Sequence, residues 1–142
     1  MARVLIVDDE DGVRQVLTRF LSAPDLEIAE ADTAEAALHE MALAPADVVF
    51  CDIQMPGRDG LWLTAELRKL YRTTAVVLAT SVSTVPPRIS MQSGVLAYVV
   101  KPFTRGAVRE ALDTALHWHK EAVANGGGPD ATAELQAWLD AL

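Results

Sequence analysis

Four apolar runs in this chain each pass into a polar or charged side chain. Val4-Leu5-Ile6-Val7 leads into Asp8 and Asp9, Val48-Val49-Phe50-Cys51 into Asp52, Ala75-Val76-Val77-Leu78-Ala79 into Thr80, and Leu96-Ala97-Tyr98-Val99-Val100 into Lys101. Apolar runs of this length, bounded by turn residues, read as buried strands of a parallel sheet. Ligands of open α/β sheets collect outside the carboxyl ends of such strands. Taken singly, each residue fits a plain role, since Asp is common in turns and charges at a sheet edge are ordinarily solvated. Taken together at matched strand ends, they make a site. Three carboxylates pressed together repel, and one tends to stay protonated unless a cation neutralises them. All-oxygen ligation favours a hard ion, Mg²⁺ with Mn²⁺ as the alternative. Lys101 would add a point charge and Thr80 a hydroxyl donor for the oxygens of an incoming phosphoryl group. A carboxylate such as Asp52 can hold a transferred phosphoryl group covalently.

The segments between these runs must position them. From Gly12, the apolar residues Val13, Val16, Leu17, Phe20 and Leu21 recur at helical spacing, with acidic residues before them that suit the positive end of a helix. Leu26 to Glu30 alternates as a half-buried strand; Asp32-Thr33 then offers a cap to an alanine-rich helix with Leu38 and Met41 on one side, ended by Pro45. A helix is expected from Leu61 to about Tyr71, with Leu61, Ala65, Leu67 and Leu70 supplying apolar area. Pro86-Pro87 forbids a helix running through but permits one that begins there, so a short helix is expected from about Pro87 to Ser93, stopped at Gly94. A long helix from about Arg105 to Ala124 carries Val108, Leu112, Ala115 and Leu116 at helical spacing. Strands alternating with helices predict an α/β fold, a parallel sheet with helices on both faces. Residues 1–124 would be one domain. Asn125-Gly126-Gly127-Gly128-Pro129 is a flexible linker, and 130–142 an amphipathic helix with Ala131, Leu135, Trp138, Leu139 and Leu142 on one face. That face would dock on the domain, pair two chains as a homodimer, or begin an output domain.

Composition narrows the classes. The chain has 142 residues, 51% hydrophobic and 23% charged, which is globular, and no apolar segment is long enough to cross a bilayer. The apolar start meets Asp8-Asp9-Glu10-Asp11 at once and lacks the pattern of a secretory signal, so a cytoplasmic protein is expected. The single cysteine, Cys51, excludes an intrachain disulfide and sits inside a buried run. A formal charge of -8 argues against direct nucleic-acid contact by this segment. His117 and His119 are two apart on a helix, about 200° around it from one another. They read as exposed helix residues rather than a metal pair.

Val4-Leu5-Ile6-Val7-Asp8-Asp9-Glu10, Asp52-Ile53-Gln54-Met55-Pro56-Gly57-Arg58-Asp59-Gly60, Thr80-Ser81 and Tyr98-Val99-Val100-Lys101-Pro102-Phe103 occur in order. In this set the chain resembles the receiver domain of bacterial two-component response regulators, including the single-domain chemotaxis regulator, over about Arg3 to Ala124. The resemblance implies a flavodoxin-like five-stranded parallel sheet in the order 2-1-3-4-5. It implies that Asp52 accepts a phosphoryl group from a phosphohistidine on a sensor histidine kinase or phosphotransfer protein. Asp9, Asp52 and the backbone carbonyl of Gln54 would ligate Mg²⁺, with Asp8 acting through water and Lys101 pairing with the phosphoryl oxygens. Thr80 and Tyr98 would carry the switch, and Lys101-Pro102 would be cis. Intrinsic chemistry would be limited to self-phosphorylation and hydrolysis of the aspartyl phosphate. Pro86-Pro87 departs from the family pattern, and Trp62 stands where related receivers usually carry a polar residue; it reads as a partly packed aromatic or a partner contact. Two alternatives compete. An aspartyl-nucleophile phosphatase of the haloacid dehalogenase class wants a second Asp two residues after the nucleophile, where Gln54 stands. A phosphorylation-independent interaction module would have no need of so complete a charged set.

Overall fold

A computed structural model describes residues 1–80 and 97–125. In it the apolar runs are strands β1 (Ala2–Val7), β2 (Leu26–Ala31), β3 (Val48–Cys51), β4 (Ala75–Thr80) and β5 (Ala97–Val100). They form one sheet in the order β2-β1-β3-β4-β5 with every neighbouring pair parallel. The helices described are α1 (Asp11–Leu21), α2 (Ala34–Leu43), α3 (Gly60–Leu70) and α4 (Arg105–Ala124). This is the flavodoxin-like α/β architecture, and it follows from the period-two alternation of strand side chains. Val4, Ile6, Val48, Phe50, Val77 and Ala79 point to one face, where Leu17 and Leu21 of α1 and Val108 and Leu112 of α4 cover them. Leu5, Val7, Val49, Cys51, Val76 and Leu78 point to the other, beneath Ala37 and Met41 of α2 and Leu63 and Leu67 of α3. Both faces are dry, so the strands must be apolar throughout.

Three of the four described helices start at a side-chain cap, α1 alone having none. Thr33 accepts from the Ala36 amide at 3.0 Å, Asp59 from Trp62 at 2.9 Å and Thr104 from Ala107 at 3.2 Å. Each satisfies a backbone donor that has no partner within the helix.

Two expectations are corrected. In α3 the inward face runs through Gly60, Leu63, Thr64 and Leu67, at steps of three and four. Ala65 therefore points outward, and Leu70, at the last turn, is 58% exposed. Thr64 is tolerated inside because its hydroxyl donates to the Gly60 carbonyl at 2.7 Å. His117 is exposed, but His119 is tucked against the loops that enter β3 and β4: Nδ1 lies 2.6 Å from the Thr73 carbonyl and Nε2 3.2 Å from Asp47 Oδ1. The helix expected at Pro87 to Ser93, and residues 126–142 with the amphipathic helix, lie outside the described residues. Among the described residues no helix is long and apolar enough to cross a membrane.

Candidate functional site

Register brings the acids together. Val7 pairs with Cys51 across β1 and β3, so Asp8 and Asp52 leave the sheet side by side, and the Asp52 amide donates to the Val7 carbonyl at 3.0 Å. Asp8 is 1% exposed and Asp52 5%, whereas Asp9 is exposed. One carboxylate oxygen from each of Asp8, Asp9 and Asp52 can be chosen so that all lie within 4.8 Å of one another. Thr80, the last residue of β4, pairs with Val100, so Lys101 leaves β5 at the same edge. Its Nζ lies 3.2 Å from Asp8 Oδ2 and 3.3 Å from Asp52 Oδ2.

The electrostatics are unbalanced. Burial pushes the Asp8 carboxyl above its usual range; the Asp52 charge adds to this, while the Glu10 amide, donating to Asp8 Oδ1 at 2.9 Å, and Lys101 oppose it. Burial alone would pull Lys101 down, but Asp8 and Asp52 outweigh it and hold the ammonium charged above its ordinary range. Three carboxylates facing one ammonium leave two negative charges uncompensated, and every acidic donor is a hard oxygen. The residues present therefore fit a divalent ion of the Mg²⁺ type.

Backbone detail holds the acids in place. The Gln54 amide donates to Asp52 Oδ1 at 3.3 Å, so Gln54 sits directly beside the central carboxylate. Gly57 takes φ +76 in the turn, and an open cleft of about 550 Å³ follows that loop, lined by Gln54, Met55, Gly57, Asp59 and Leu61 among others. A Cβ on Gly60 would stand 2.0 Å from the Asp52 carbonyl oxygen, so α3 can begin this close to Asp52 only with glycine there. The Lys101-Pro102 peptide is cis. Trp62 is half-buried, with the Arg58 guanidinium 4.3 Å over its ring. The backbone places Thr80 at the end of β4 and Tyr98 opposite Leu78 in β5; the structure describes the backbone of these two residues and not their side chains, on which the expected switch depends.

Two residues at this edge escaped the reading of the sequence. Gly60 was legible only as part of a turn, because its constraint comes from Asp52, eight positions earlier in the chain. Arg14 of α1 donates through Nη1 to the Asp8 carbonyl at 2.5 Å and through Nε to Glu30 Oε1 at 3.1 Å, and its Nη2 pairs with Asp11. The spacing of three from Asp11 to Arg14 was a visible signal for the last contact. Glu30, on β2, carried none.

Comparison with known proteins agrees with this geometry. Residues 4–113 match the family described as the response regulator receiver domain. The regulatory protein AtoC of Escherichia coli (strain K12) is 38% identical over 115 residues, which cover 80% of this chain and 25% of AtoC. The chain thus spans about a quarter of the length of that relative. Among solved structures, a putative response regulator from Chloroflexus aurantiacus superposes with a TM-score of 0.76 at 28% identity, covering 82% of this chain and 98% of the other. The chemotaxis response regulator CheY4 of Vibrio cholerae does so with a TM-score of 0.73 at 28% identity, covering 82% and 99%.

Proposed function

The chain belongs to the response regulator receiver domain family, and from that premise we propose that Asp52 accepts a phosphoryl group from a phosphohistidine on a sensor histidine kinase or phosphotransfer protein. The observation that carries this reading is the pairing of a nearly buried Asp52 with Lys101 at a strand end that also holds Asp8 and Asp9. An Asp52 carboxylate oxygen attacks phosphorus, the P–N bond to the donor imidazole breaks, and its electron pair leaves with that imidazole. Lys101 Nζ, already 3.3 Å from Asp52, turns to the phosphoryl oxygens and stabilises charge that grows as the group arrives. Asp9, Asp52 and the Gln54 carbonyl, with Asp8 through water, would hold Mg²⁺ or Mn²⁺, which supplies positive charge to the phosphoryl oxygens when bound. Thr80 then hydrogen-bonds the phosphoryl group and Tyr98 follows it inward, changing the surface around β5 and α4. The segment works in the cytoplasm and, at a net charge of -8, through protein partners rather than by contacting nucleic acid itself. It acts on no separate small-molecule substrate.

The test is incubation with a small phosphodonor and Mg²⁺ followed by intact-protein mass measurement. One added phosphoryl mass on the wild type, and none on Asp52→Ala, is expected. Equal addition to both proteins, or none to the wild type, overturns the reading.

A further inference from the structure

We infer that Arg14 is a positioning residue that sets the affinity of the acidic pocket for its divalent ion, by clamping the peptide that joins Asp8 to Asp9; this rests on the receiver reading above. The carbonyl that Arg14 holds at 2.5 Å belongs to that peptide. A peptide unit is planar and rigid, so a hydrogen bond to its oxygen restrains the turning of the whole unit from which both Asp8 and Asp9 project. The other side of Asp8 is held as well, because its amide donates to the Ala31 carbonyl of β2 at 3.2 Å. Arg14 is itself anchored, with its side chain 13% exposed, by Glu30 on β2 and Asp11 in the first turn of α1. One guanidinium thus ties the acidic loop to a strand and a helix at once. The three acceptors lie in different directions, which a planar fork of donors can meet and a single ammonium cannot.

A structural brace and a long-range charge predict opposite signs. Through its field alone, Arg14 repels a divalent cation, so deleting it would tighten binding. Through positioning, deleting it frees the Asp8-Asp9 peptide and weakens binding, as loss of outer-shell support does at metal sites, by about 10-fold. The clamp acts on ligand placement, not on the acceptor, so phosphoryl uptake by Asp52 at saturating Mg²⁺ is retained.

The experiment is calorimetric titration of the whole chain with Mg²⁺ for wild type, Arg14→Ala, Arg14→Lys and Glu30→Gln, each first checked for a cooperative thermal transition without metal. Expected are an Arg14→Ala dissociation constant about 10-fold above wild type, partial recovery in Arg14→Lys, and a smaller weakening in Glu30→Gln. If Arg14→Ala does not fold, Arg14→Lys decides, because it keeps the positive charge, so its field alone leaves binding unchanged, and loses only the fork that reaches Asp8, Glu30 and Asp11 together. Unchanged or tighter Mg²⁺ binding in the deciding variant overturns the clamp and leaves the receiver reading standing. No Mg²⁺ binding by the wild type overturns both.

Discussion

Asp8 concentrates the conflict in this site: a carboxylate nearly without solvent, beside another buried carboxylate, with one shared ammonium. Its raised pKa means that the folded chain holds this proton to higher pH than the unfolded chain does. The resulting stability is present below the unfolded value and lost as pH rises through the folded one, so burial of the Asp8 carboxylate costs the metal-free fold stability as pH rises. Asp8→Asn is therefore expected to stabilise the metal-free protein at neutral pH by about 0.5–2 kcal/mol while weakening Mg²⁺ binding, a trade of function for stability. Urea unfolding with and without the ion measures both. Lys101 has the same sign of pH dependence in a higher range: its raised pKa gives stability that is complete below its unfolded value and lost only as pH climbs through the folded one. Lys101→Met should cost about 1–3 kcal/mol at neutral pH, because it leaves two buried carboxylates without their cation. The same titration makes protons compete with the metal. As pH falls through the folded value of Asp8, the gain in melting temperature on adding Mg²⁺ should shrink, which a pH series of thermal scans would show.

At the scale of elements, the approach of α3 to the end of β3 is the feature most sensitive to single substitutions. Gly60 donates its amide to the Ile53 carbonyl at 2.9 Å and has no room for a Cβ against Asp52. Gly60→Ala must displace the start of α3 or the Asp52 backbone. We expect a loss of about 1–3 kcal/mol, as for overpacking elsewhere, together with slower phosphoryl uptake, whereas a change remote from Asp52 would affect stability alone. Asp59→Ala removes only the cap donated to by the Trp62 amide, and should cost about 1 kcal/mol in chemical denaturation. The two substitutions are adjacent in sequence and differ in kind. A cap is a local contact between residues three apart, and the sequence pattern revealed such caps at Thr33. The Gly60 constraint is a contact between segments, which no local pattern encodes. The exposed Ala65 and Leu70 teach the same lesson, since apolar composition named them along with Leu67, but the orientation of α3 on the sheet kept Leu67 and put Leu63 beside it in their place.

For the molecule as a whole, a ligand that binds only the folded state stabilises it by mass action. Mg²⁺ at 100 times its dissociation constant should add about 2.7 kcal/mol, and a chelator should remove that gain. Differential scanning calorimetry would register it as a shift in melting temperature, and Asp52→Asn should show a smaller one. The sequence by itself determined the parallel sheet, the alternation of strands and helices, and the strand ends at which Asp8, Asp9, Asp52, Thr80 and Lys101 stand. These are legible because burial on both sheet faces demands unbroken apolar runs, and the first polar residue then marks where a strand leaves the core. The strand order came from resemblance, and the structure agrees with it. What only the tertiary structure decided is how the strand ends are held: the Lys101 ammonium shared between Asp8 and Asp52, Gly60 pressed on Asp52, Arg14 spanning to Glu30, and His119 lodged against Asp47 rather than in solvent. Each of these joins segments distant in the chain or fixed by register, and periodicity along one segment says nothing about which side chain of another will arrive beside it.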